Sequence, residues 1–129
     1  MQNMIWVKGN PTPVKLSAND KEKLKRQITA ELEKYPELKK RVNRVEIKAG
    51  RIYFYELIEA KPLPQGAHYI VPLIDGKWLE FILARITIYI SNCTLDFQRH
   101  NNQWMTIDSG TLEECIEKIE NGGWFAAME

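Results

Sequence analysis

The side chains able to do chemistry in this chain of 129 residues are few, and their spacing assembles little. Cys93 and Cys115 would need a neighbouring base and an electropositive setting to act as nucleophilic thiolates. Cys115 falls instead in an apolar helical stripe among glutamates, which disfavour a thiolate, so it reads as core. Cys93 opens a strand after Ser91-Asn92, and only the fold can bring it near His100. A metal centre would require His68, Cys93, His100 and Cys115 to converge, and they share no ligand spacing. Neither a metal nor another cofactor is expected. Glu56 and Asp96 form an acid–base pair only if adjacent strands align them. No G-x-G-x-x-G, P-loop or G-x-S-x-G elbow occurs. With no catalytic constellation in sight, a non-catalytic binding or protein-interaction domain is expected rather than an enzyme.

Two sets of side chains are candidates for recognition. The first lies on strands: Tyr53, Tyr55, Arg85, Thr87, Tyr89, Asp96 and Gln98 take the parity opposite to, or interrupting, the apolar stripe of their segments. Aromatic rings with a cation on an open sheet stack and clamp a ligand or a base. The plainer alternative is a solvated face carrying cross-strand tyrosine pairs. The second set is basic: Lys21, Lys25, Arg26, Lys39, Lys40, Arg41 and Arg44. It belongs to a charge asymmetry that the net +1 conceals. Residues 1–51 carry thirteen Lys/Arg against six Asp/Glu, and residues 52–129 carry five against eleven. Such a footprint offers an alternative function as a nucleic-acid-associated accessory protein. It also fits a basic helix docked beside an acidic one.

Positioning these residues falls to elements whose patterns are readable. Pro11 and Pro13 keep residues 1–16 extended as an arm. Ser17 is an N-cap with Asp20 three residues on, and Leu24, Ile28, Leu32 and Tyr35 recur at helical spacing over 18–35. Pro36 to Arg41 forms a further short turn. The period then becomes two. Val45 and Ile47 alternate with charges, Ala49-Gly50 turns the chain, and Arg51 to Ala60 is rich in Ile, Tyr and Phe. Residues Tyr69 to Ile74 read as a third strand, edge or bulged because of Pro72. Asp75-Gly76 is a hairpin signal. In Trp78 to Ile90, one face holds Ile82, Ala84, Ile86, Ile88 and Ile90, the other Leu83, Arg85, Thr87 and Tyr89. Thr94 to Arg99 and Trp104 to Ile107 complete the strands. Thr111 and Glu114 form a capping box for a helix buried through Leu112, Cys115, Ile116 and Ile119, ended by Asn121-Gly122-Gly123.

This order predicts a single α+β domain over 1–129: an antiparallel meander of five to six strands with an N-terminal and a C-terminal helix packed on it. The Ile82-to-Ile90 stripe, Leu24, Ile28, Leu32, Ile116 and Ile119 should form its core. The longest apolar run, Phe81 to Ile90, is broken by Arg85 and is too short for the ~20 residues of a membrane span. Met1 to Val7 lacks the features of a signal peptide, and two cysteines suit a reducing compartment, so a cytoplasmic location without membrane contact is expected. The apolar Met4, Ile5, Trp6 and Val7 of the arm, the opposite charges of the two halves and a long unpaired edge together suggest a homodimer. The competing expectation is an arm folded back on its own domain.

One resemblance adds to this reading. Residues 52–58 (Ile-Tyr-Phe-Tyr-Glu-Leu-Ile), Leu83 to Thr87, Phe97-Gln98-Arg99 followed by Trp104, and Thr111 to Ile116 with Gly123-Trp124-Phe125 resemble an uncharacterised family of small bacterial proteins. Its members carry an EIFEI strand, a W-x-R-A-D-L-K-W hairpin and an LEEFL helix. The likeness spans residues 45–125. His100-Asn101-Asn102 stands where the family has Ala-Asp-Leu, and Phe97 replaces a Trp. The resemblance implies a compact bacterial domain and importance for Glu56, Arg85, Arg99 and Trp104, without an activity. The candidate ligand site is then Tyr53, Tyr55, Glu56, Arg85, Tyr89, Asp96, Arg99 and Trp104.

Overall fold

Ser17 starts the first helix of the computed structural model, which describes residues 12–67, 72–99 and 103–121. Its hydroxyl accepts the amide hydrogen of Asp20 at 3.1 Å, and the Asp20 carboxylate accepts that of Ser17 at 3.3 Å. This reciprocal cap satisfies two donors that the first helical turn leaves free. Helix α1 (Ala18–Leu32) buries Leu24, Ile28 and Leu32. It stops short of the expected residue 35 because Pro36, which cannot donate to a preceding turn, begins α2 (Pro36–Arg41) instead.

The chain then forms β1 (Val42–Lys48), β2 (Arg51–Glu59), β3 (Trp78–Ile88), β4 (Cys93–Gln98) and β5 (Trp104–Gly110), followed by α3 (Leu112–Asn121). These strands make one sheet in the order β1-β2-β3-β4-β5, each pair antiparallel. The fold is the expected α+β meander. Thr111 and Glu114 cap α3 reciprocally, at 2.8 and 3.1 Å. The expected third strand does not form where it is described. Pro72 and Leu73 have no strand partner, and Ile74 makes an isolated bridge to Trp78. Residues 68–71 of that segment lie outside the described residues. Asp75 and Gly76 turn the chain with φ of 53° and 70°, as the Asp-Gly pair demands.

All three helices contribute to one core. Leu24, Ile28, Leu32, Leu38, Leu112, Cys115, Ile116 and Ile119 pack with Ile47, Ile52, Phe54, Ala84, Ile86 and Leu95 of the sheet. Each of the leucine, isoleucine and phenylalanine side chains contributes about 1.5–3 kcal/mol through removal from water. The Ile82-to-Ile90 stripe needs correction at both ends. Strand β3 carries an extra residue at Leu83, since Phe54 pairs with Ala84 while Tyr55 pairs with Ile82. This bulge reverses the alternation: Leu83 joins the core and Ile82 moves opposite Tyr55. Ile90 lies beyond the strand end and is 95% exposed. Similar irregularities fall at Asn43 in β1 and at Ile107 in β5.

The described part of the arm lies on its own domain. Val14 donates to the Ile88 carbonyl at 2.9 Å, and Leu16 packs against the core. Met4, Ile5, Trp6 and Val7, like Gly122 and Gly123 of the predicted C-cap and the Trp124-Phe125 tail, lie outside the described residues. Among the described residues no helix is long and apolar enough to cross a membrane.

Candidate functional site

On the face opposite the helices, register carries one band of side chains across all five strands. Arg44 lies opposite Tyr55, Glu46 opposite Tyr53, Tyr53 opposite Arg85, Arg85 opposite Asp96, and Asp96 opposite Thr106. Trp104 pairs with Gln98 beside them. The Arg44 guanidinium sits 3.8 Å from the Tyr55 ring centroid. The Tyr55 and Tyr53 rings stack at 6.5 Å, and Tyr53 meets Trp104 edge-on at 6.1 Å. The Arg85 guanidinium closes the row, 4.0 Å from the Trp104 centroid. Each cation–π contact contributes about 0.5–2 kcal/mol.

Both guanidinium groups are held by carboxylates. Arg44 forks onto Glu80 at 2.9 and 3.0 Å, and Asn43 donates to the same carboxylate at 2.9 Å. The Arg44 hydrogen bond holds the Glu80 carboxyl below its ordinary range. Tyr55 donates its hydroxyl to Glu46 at 2.8 Å. Burial and that carboxylate raise the Tyr55 pKa, while the same bond lowers that of Glu46. Asp96 is buried although it lies on the helix-free face. Its two oxygens accept from Arg85 Nε (2.9 Å), Thr87 (2.8 Å), Thr94 (3.1 Å) and Thr106 (2.8 Å). Four donors saturate the carboxylate and fix Arg85 against the indole. Arg51 Nε is buried nearby with no hydrogen-bond partner among the described residues.

Of the eight residues expected in the ligand site, five share this band: Tyr53, Tyr55, Arg85, Asp96 and Trp104. The other three do not. Glu56 takes the opposite parity, on the helix side, where Arg41 grips it at 2.9 and 3.3 Å. It therefore cannot pair with Asp96, from which β3 also separates it. Tyr89 follows β3 and donates its amide to Asn92 in the connecting turn. Arg99 is exposed beyond β4 and bonds to Gln103 through its backbone. His68 and His100 lie outside the described residues. Cys93 and Cys115 are both buried and unoxidised, and burial raises both thiol pKa values, that of Cys115 to about 12.

The basic set is also divided. Lys39 pairs with Glu33, Lys40 with Glu37, Arg41 with Glu56 and Arg44 with Glu80. Lys21, Lys25 and Arg26 on α1 have no ion pair among the described residues. Lys21 and Lys25 face a cleft of about 470 Å³ between α1 and β1. Ala18 and Glu22 line the same wall, and Arg44, Val45, Glu46 and Ile47 form the other. Sequence reasoning assigned Arg44 to the basic footprint and overlooked Glu46, Glu80, Thr94 and Thr106. The charge alternation Arg44-Val45-Glu46-Ile47-Lys48 was the available signal for β1. The threonines acquire meaning only through cross-strand register.

Comparison of the chain with described protein families, with curated proteins and with solved structures finds no match in any of the three.

Proposed function

We propose that this chain is a non-catalytic, cytoplasmic domain that binds a protein partner on its sheet. The observation that carries this reading is the occupied state of the aromatic faces. A base-stacking platform needs bare rings, whereas Arg44 covers Tyr55 and Arg85 covers Trp104, each cation neutralised by a carboxylate. What remains is a rigid amphipathic surface of aromatic edges and arginine, the composition that protein interfaces favour. The test is a photoreactive phenylalanine analogue at Tyr53 in the cells that make the protein. The expected result is a discrete protein adduct whose yield falls several-fold with Arg44→Glu. An adduct with nucleic acid, or none, overturns the reading.

The unpaired Lys21, Lys25 and Arg26 favour one second reading, a nucleic-acid accessory protein. Three phosphate contacts to a single strand give a slope of about −2 in log affinity against log salt. No retention on heparin at low salt removes it. Self-association belongs to the first reading, with the arm against a neighbouring sheet as the contact. Light scattering at micromolar concentration then gives twice the 15.1 kDa of one chain.

A further inference from the structure

Among the described residues, the α1–β1 cleft has one wall of unpaired backbone and one of unpaired cations. Lys48 and Arg51 flank the two-residue turn Ala49-Gly50 as a hydrogen-bonded pair, so bonded pairs recur at Glu46–Tyr53 and Arg44–Tyr55. The Ile88 amide bonding to the Gly50 carbonyl agrees, because it leaves the Arg51 groups turned toward β1. The intervening residues, Val45 and Ile47, therefore point their N–H and C=O groups away from β2. Both line the cleft. Across from them stand Lys21 and Lys25, one helical turn apart, with no ion pair among the described residues.

From this geometry we infer that the cleft takes an extended acidic peptide segment, added beside β1 as a sixth strand. The inference rests on the protein-binding reading above and places a contact of its own at the sheet edge. Main-chain bonds to Val45 and Ile47 supply affinity, and alternate side chains supply selectivity. Residues four apart on a helix are separated by about 6 Å along the axis. Alternate residues of a strand are separated by about 6.6 Å. Two carboxylates at positions i and i+2 of the peptide thus match Lys21 and Lys25. Nucleic acid fits this cleft less well, since the bare peptide groups of Val45 and Ile47 match a strand's main chain and offer phosphate no row of cations. Residues 1–11 contain no Asp or Glu, and no strand among the described residues carries two acids at that spacing, so a separate partner supplies the segment.

The probe is a phage-displayed library of random dodecapeptides, selected on the full chain, with the enriched peptide then synthesised. Acidic residues at alternate positions are expected, and saturating peptide slows hydrogen exchange at the Val45 and Ile47 amides at least tenfold, leaving Glu46 unchanged. Lys21→Glu with Lys25→Glu weakens binding at least tenfold. Val45→Pro, which removes an outward donor at a sheet edge where proline is tolerated, abolishes it while the circular dichroism spectrum is retained. An enriched peptide that shifts Tyr53 and Trp104 but protects neither edge amide overturns the cleft and leaves the protein-binding reading standing. Failure to enrich any peptide overturns the cleft, and the Tyr53 adduct then judges the broader reading separately. A single-stranded oligonucleotide that binds Lys21 and Lys25 without protecting the edge overturns both.

Discussion

Asp96 shows how one residue changes meaning between sequence and structure. Its parity placed it on the helix-free face, and that placement holds, but a carboxylate on a face without helices suggested exposure. It is 1% exposed because Thr87, Thr94 and Thr106, one from each of three strands, converge on it with Arg85. That convergence depends on register and on the extra residue at Ile107, neither of which local sequence encodes. Removing one member of a buried ion pair leaves its partner's charge uncompensated. Asp96→Ala is therefore expected to destabilise the protein by about 3–5 kcal/mol, read from urea unfolding, and to release Arg85 from Trp104. Cys115 was legible as core from its apolar neighbours, whereas the burial of Cys93 emerges only from the fold. With the Cys115 thiol pushed up to about 12 by burial, iodoacetamide at neutral pH should leave it unmodified in the native protein and alkylate it fully in denaturant. Mass spectrometry reads the difference.

At the scale of elements, caps and turns were the most legible features, since each is written in a few adjacent residues. Ser17 with Asp20, Thr111 with Glu114, and Asp75-Gly76 all act as their local chemistry requires. The bulges were not legible, because Leu83 reads as one more apolar residue in an apolar run. Ala49-Gly50 is the least suited of the turns. Ala49 holds φ at 49°, a conformation that asparagine and glycine adopt more readily. Ala49→Asn should stabilise by about 0.5–1 kcal/mol in thermal or urea unfolding. Gly50 has the opposite constraint. At φ of 78° a side chain is strained, and a Cβ would stand 2.4 Å from the Val14 carbonyl oxygen. Gly50→Ala should cost at least about 1–2 kcal/mol and detach residues 12–16 from the sheet, visible as faster exchange of the Val14 amide.

Across the whole molecule, the charge asymmetry resolves partly into internal pairing. The basic α2 is tied to Glu33, Glu37 and Glu56, and the N-terminal and C-terminal helices meet where Gln27 donates to Glu113 at 2.7 Å. The paired groups set a pH window. Glu46, Glu80 and Glu113 are lowered from 4.5 and Asp108 from 3.8, chiefly by hydrogen bonds that favour the carboxylate. Their contribution is complete above those ordinary values and disappears as pH falls through the lowered ones. Lys34 and Lys118 are raised from 10.5 by Glu31 and Asp108, so their contribution is complete below 10.5 and lost as pH rises through the raised values. The buried thiols, raised from 9.0, add a loss that begins as pH passes that ordinary value, so the thermal midpoint should be level between about pH 5 and 8 and fall on both sides. A midpoint that rises on acidification below pH 4 contradicts these pairings.

A sheet whose spatial order repeats its chain order has a consequence for how the molecule assembles in time. Every strand finds its partner in the next strand along, so loop closure is inexpensive and zippering from the turns is fast. The contact that cannot form early is the one between α1 and α3, whose Gln27–Glu113 bond joins residues 86 apart. Helix α1 is therefore expected to dock after the meander, with its contacts absent from the transition state. Stopped-flow chevrons should show Ile28→Val accelerating unfolding with the folding rate unchanged. Ala49→Asn, acting at the first turn to close, should accelerate folding and leave unfolding nearly untouched.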